Sequence, residues 1–203
     1  MAFIAISLTT FSQELITKED IKRLKKLLPK ELKIKVDYIE REIWVKTPRI
    51  TTTGKLGLMD TPDRTHEFYF RVTKNKDGTW DRAGLRYKFS YYASSWLWME
   101  SMMILCAPTN KETRKGIGVK FELKFRSEDI VTKVEGNATI SEKVDMYNNP
   151  QIEKWVRHIA ETGDFTRIRV SGKNKYIDEA IFRKALTPYA TAIVLALDHE
   201  IFK

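Results

Sequence analysis

The chain has a single cysteine, Cys106, among 203 residues, so it can close no internal disulfide. Placed in an apolar run, that cysteine is expected to behave as a small hydrophobe. No stretch approaches the roughly twenty uninterrupted apolar residues of a membrane-spanning helix. The usual catalytic and ligand-binding signatures are missing as well. His66, His158 and His199 are far apart and none belongs to an HExxH or CxxC-type cluster. There is no G-x-S-x-G elbow, no GxxxxGK[ST] loop and no dinucleotide fingerprint. Neither a metal nor a cofactor is therefore expected, and the only enzymatic route left is a hydrolase site assembled from distant residues. Repeats, low-complexity tracts and convincing linkers are absent too.

What is present is a packed composition, 42% hydrophobic, with 36 Lys and Arg against 27 Asp and Glu. The net charge of +9 favours acidic partners such as nucleic acid or acidic polysaccharide, although the cations are spread along the chain. Residues 1–12 carry no charge and include Phe3, Ile4, Ile6 and Leu8 before small and polar Thr9, Thr10 and Ser12. They resemble the end of a secretory signal peptide without its basic start. The domain expectation is a signal remnant over 1–12 and one globular domain over 13–203. Export to the periplasm or outside the cell follows from that reading, with a cytoplasmic address as the alternative.

Strand periodicity dominates the rest. Leu85, Tyr87, Phe89 and Tyr91 alternate with Arg86, Lys88 and Ser90. From Trp96 to Cys106 both phases are apolar, which predicts a central strand covered on each side, with helix as the rival. That reading puts Trp96, Trp98, Met102, Ile104 and Cys106 on one face. Strands are also predicted over 32–45, with a bulge or tight turn near Tyr38, over 66–73, 119–126 and 165–171, and as one weakened strand over 130–140. Asn75-Lys76-Asp77-Gly78 reads as a hairpin turn, and 49–64 as a loop. Thr17 with Asp20 caps a short helix that ends at Pro29, and Asn149-Pro150 opens another that stops at Gly163. The segment 178–199 is predicted helical, broken or restarted near Pro188. The fold class is therefore α+β: a predominantly antiparallel, β-sandwich-like sheet, with a short N-terminal helix and C-terminal helices packed on it.

Two sets of candidate residues emerge. Glu100, flanked by methionines and tryptophans, is expected to have a cationic partner, Arg86 or Arg169, in a buried ion pair, with an edge position reaching solvent or a perturbed acid in a pocket as the alternatives. Lys88, Lys120, Lys124 and Arg126 are the candidate polyanion contacts, with Arg86, Tyr92 and Trp96 as further cation and stacking groups.

The order Trp80, Leu85-Arg86-Tyr87, Tyr91-Tyr92, Trp96-Leu97, Glu100-Ser101, Ile159-Ala160, Arg167-Ile168-Arg169 and Gly172-Lys173 resembles a group of uncharacterised exported bacterial proteins and lipoproteins. The resemblance implies export and this fold class over about residues 33 to 200, and carries no activity or site. No lipobox cysteine stands near residue 13, so it does not extend to a lipid anchor. The functional expectation is an exported, non-enzymatic binding or structural module with an envelope protein or polysaccharide as partner; a nucleic-acid or polysaccharide-binding polyanion protein is the alternative.

Overall fold

The computed structural model describes residues 16–53, 63–135 and 139–202. The signal-like stretch lies outside them. Helix α1, Lys18–Leu27, begins at the predicted cap: Thr17 accepts from the Asp20 amide while the Asp20 carboxylate accepts from Thr17, which satisfies two otherwise open groups. Leu24 is its buried residue, and the lysines beside it face solvent.

Strands β1 (Lys33–Asp37) and β2 (Glu42–Lys46) form a hairpin through the turn predicted near Tyr38. The stretch 49–64 is not all loop. Its described part holds β3, Ile50–Thr53, paired with the start of the twelve-residue β4, Asp63–Lys74. Both β2 and β3 lie along one edge of β4, while β5 (Trp80–Arg82) and β6 (Arg86–Ala93) lie along the other. At the step from β2 to β3 the ladder is carried by buried Thr47. Its amide donates to the Phe68 carbonyl at 2.9 Å and its hydroxyl accepts from the Phe68 amide at 3.1 Å. Pro48, which has no amide hydrogen, follows where none is needed.

The strand β7, Met99–Ala107, confirms β over helix and lies between β8 (Val119–Lys124) and β11 (Phe165–Gly172). Residues 130–140 are not one strand. β9 (Ile130–Glu135) and β10 (Thr139–Tyr147) fold back on each other, and β10 pairs with β6. Between β7 and β8 lies a short helix, α2, Asn110–Arg114. Helix α3, Pro150–Thr162, has Asn149 as its cap and ends at Gly163 with φ +62°, a left-handed residue that glycine takes without strain. The predicted helix over 178–199 is corrected at its start: Tyr176–Ile181 is β12, paired with β11, and α4 spans Arg183–Leu197 with Pro188 inside it.

Two antiparallel sheets result. The larger runs β1-β2-β4-β6-β10-β9 with β3 and β5 alongside β4, and the smaller runs β12-β11-β7-β8. Their apolar faces meet. Phe68, Phe70, Tyr87 and Phe89 of the larger sheet and Met102, Ile104, Ile168 and Val170 of the smaller are all buried, and the Tyr87 hydroxyl lies 3.5 Å from Met102 Sδ. Trp155 of α3 enters the same core, its ring 5.2 Å from Phe68 and 5.5 Å from Tyr87. Helices α3 and α4 pack on each other, and Phe202, just beyond α4, meets Phe70 edge-on.

The alternation expected over Trp96–Cys106 fails at its start. Trp98 has φ +55°, and the pairing of β7 with β11 shifts between Ser171 and Gly172. Leu97 and Met99 are therefore buried, while Trp98 is 49% exposed and stacks on Trp96 with centroids 4.8 Å apart. Only the Met102, Ile104 and Cys106 face of β7 is fully covered. On the other face Met103 and Leu105 are partly buried beneath α2.

Candidate binding face

The outer face of the larger sheet is built by strand parity. Residues that alternate with the core positions of β1, β2, β4, β6 and β10 must point away from it. Register then sets Lys33, Lys46, Tyr69, Arg86 and Tyr147 in one row across five strands, and Glu67, Lys88 and Asp145 in the next. Arg86 fills the middle of an aromatic cluster, its guanidinium 5.9 Å from the Trp44 centroid, 5.4 Å from Tyr69 and 5.5 Å from Tyr147. Each is within cation–π range. Asp145 holds Arg86 from the side at 3.3 Å and accepts the Tyr69 hydroxyl. Burial first, and then the bond to Asp145, push the Tyr69 hydroxyl pKa far above its ordinary value, so Tyr69 stays a neutral donor. Arg86 is thus an ion-paired cation that holds three rings together as a platform.

Around the platform the cations are more open. A cleft of about 260 Å³ is lined by Lys35, Trp44, Lys46, Tyr69 and Arg86 together with Glu67, Lys88 and Asp145. A smaller depression shares Glu67 and Lys88 with it and adds Arg49, Ser90, Tyr92 and Lys143, the Lys143 ammonium lying 5.4 Å from the Tyr92 centroid. The two together gather six cations, Lys35, Lys46, Arg49, Arg86, Lys88 and Lys143, against the carboxylates Glu67 and Asp145. Lys46 is engaged by Glu67 at 3.1 Å.

The sequence-predicted residues are divided by this geometry. Lys88, Arg86 and Tyr92 share the outer face of the larger sheet. Lys120 and Lys124 do not join them. They lie on the edge strand β8 of the smaller sheet, where Lys120 pairs with Glu122. Arg126 is committed to Asp129, donating from Nε at 3.1 Å and from Nη2 at 3.0 Å. Trp96 belongs to the link between β6 and β7. The buried ion pair expected for Glu100 is not formed, because the pairing of β7 with β11 skips Glu100 between Met99 and Ser101 and leaves it exposed. Arg86 pairs with Asp145, and Arg169 with Asp178 at 2.7 and 2.8 Å.

The buried carboxylates are others. Glu142 accepts from the Leu97 and Met99 amides, the latter at 3.1 Å, and so ties β10 of the larger sheet to the link that enters β7. Glu179 accepts from the Thr52 hydroxyl and lies 3.1 Å from His66 Nε2, while His66 Nδ1 is 2.6 Å from the Tyr87 hydroxyl. Burial opposes ionisation of Glu179, but His66, Thr52 and Arg64 outweigh it and hold its pKa below the ordinary carboxylate value. All of Thr52, His66, Tyr87 and Glu179 are enclosed, so the cluster joins the two sheets rather than facing a substrate. Among the described residues no group of three or more His, Cys, Asp or Glu is placed to hold a metal ion, and no helix is long and apolar enough to cross a membrane.

Comparison with protein families, with curated proteins and with solved structures finds no match.

Proposed function

We propose that the chain is an exported, non-enzymatic binding module that holds an acidic polymer across the outer face of its larger sheet. The observation that carries the reading is the joined cleft, where Lys35, Arg49, Lys88 and Lys143 surround rings held together by Arg86. Cations spaced along a sheet meet the repeating charge of a polymer, and flat rings beside them offer stacking surfaces to sugars or bases. The signal-like residues 1–12 and the resemblance to exported bacterial proteins support the address.

The test is retention on immobilised heparin and on single-stranded DNA across a salt gradient. Retention that falls steeply with salt, and is lost in the charge-reversed pair R49E and K88E, supports the reading. Preference for heparin identifies an acidic polysaccharide, and preference for DNA identifies a nucleic acid. Absence of retention on both at low ionic strength overturns it.

A further inference from the structure

Strand β11 carries Arg167 and Arg169 on the outer face of the smaller sheet, away from buried Ile168 and Val170. Register sets Arg167 beside Leu105 and Arg169 beside Met103 on β7, with Asp178 of β12 on the other side of Arg169. Helix α2 packs over β7 and β11, and Arg114 is its last residue. Between the helix and the strands lies a cleft of about 290 Å³, lined by these side chains together with Thr113 and Gly116. Its floor is the thioether of Met103 and the side chain of Leu105. Its rim has three guanidinium groups and one carboxylate.

The three arginines are not equivalent. Arg169 is held from two sides, by the bidentate contact to Asp178 and by the Tyr176 ring, whose centroid is 4.1 Å away. The bond to Arg169 keeps the Asp178 carboxyl below its ordinary pKa against partial burial, with lesser help from the Arg167 and Arg64 charges, so Asp178 stays ionised with Arg169 as its bonded partner. Among the described residues, the side chains of Arg114 and Arg167 make no hydrogen bond or close ion pair. Arg167 is nonetheless partly buried, and a cation with its methylenes packed and its fork unmatched sits in a place that an anion would complete.

We propose that this cleft is a binding site for a small, doubly charged oxyanion on a short apolar stem, a phosphomonoester or a dicarboxylate, gripped by Arg114 and Arg167. The planar guanidinium forks match phosphate and carboxylate oxygens in pairs, and lysine would not give that geometry. The fixed Arg169–Asp178 pair forms a rigid wall. Met103 and Leu105 accept the stem, and the cleft is at the small end of the range for small-molecule sites. The site is on the opposite sheet from the polymer-binding face and stands independently of it.

The experiment is isothermal titration of the full chain with inorganic phosphate, phenyl phosphate and succinate, beside the variants R114Q, R167Q and, on the solvent face of α1, K22E. Saturable one-to-one binding of phenyl phosphate or succinate, tighter than that of inorganic phosphate, is expected. R167Q should weaken it about tenfold or more and R114Q should weaken it too, whereas K22E should leave it unchanged. Binding of phenyl phosphate alone selects the phosphomonoester, and of succinate alone the dicarboxylate. Absence of saturable binding by all three probes overturns the proposal. So does binding that R167Q and R114Q leave at the parent strength, with circular dichroism showing each variant folded.

Discussion

His66 on β4 and Glu179 on β12 face each other across the two sheets at 3.1 Å, with side chains that are 0% and 1% exposed. A buried ion pair is weak support for stability when compared with a well-packed apolar pair, because both groups must leave water. Removing one partner is another matter, since it strands the other. Replacement of Glu179 by alanine should therefore lower the unfolding free energy by about 3 to 5 kcal/mol, measured by urea denaturation. A loss under about 1 kcal/mol would show that the pair does not join the sheets.

The pH dependence follows from the same residue. Glu179 titrates below its ordinary value of 4.5 in the fold, and Asp178, with Arg169 as the main cause, below 3.8. A group whose pKa is depressed on folding binds its proton more readily unfolded, so stability rises with pH through this range. Their contribution should be complete above about pH 5 and decline as pH falls below about 4. Thermal melts between pH 3 and pH 7 would check this. In the chain with Glu179 replaced by glutamine, the acid-side decline should be smaller.

Polymer binding should divide the predicted cations. Alanine at Lys88 should weaken heparin or DNA binding and reduce the salt slope by about one ion. Alanine at Arg126, whose fork is taken by Asp129, should change affinity little. Equal losses at the two positions would argue against a defined face.

Cys106 offers a chemical check on the core. Burial raises its thiol pKa to about 12, so almost no thiolate exists at neutral pH. Ellman's reagent should label it slowly in the native chain and fast in guanidinium chloride. Rapid native labelling would place β7 at the surface.

Glu100, the residue singled out by its apolar neighbours, is exposed, and Glu100→Gln should shift stability by no more than about 0.5 kcal/mol. Why the sequence misled there is physical. Alternation along Trp96–Cys106 assumes an unbroken pleat, but the pairing of β7 with β11 passes from Ser101 opposite Ser171 to Met99 opposite Gly172, so Glu100 is an extra, bulged residue and faces outward while Met99 and Met102 on either side are both buried. Signals that act within a few residues were legible: the Thr17–Asp20 cap, the turn ending at Gly78, the Gly163 stop, and the alternation of β6.

Partnerships across the fold were not legible. In β12, Ile177, Glu179 and Ile181 share a phase, but a glutamate at the middle position reads as a wet face until His66 and Thr52 arrive from another sheet. The same holds for Glu142, whose partners are amides more than forty residues away. Of the candidate site, the residue types were visible and their grouping was not. Lys88 and Lys120 look alike in sequence, yet one lies beside an aromatic platform and the other on the edge of the opposite sheet.

The chain enters the larger sheet with β1 to β6, leaves it for β7 and β8, returns with β9 and β10, and leaves again with β11 and β12. During synthesis that order imposes a wait. Cys106 of β7 is 60 residues ahead of Thr166, its partner on β11. At an elongation rate of roughly 5 to 20 residues per second, the edge of β7 that pairs with β11 stands without that neighbour for about 3 to 12 s. A nascent chain in this interval presents a strand edge and an oily surface together, the state that ribosome-associated chaperones hold, and its yield should depend on them more than its finished stability would suggest.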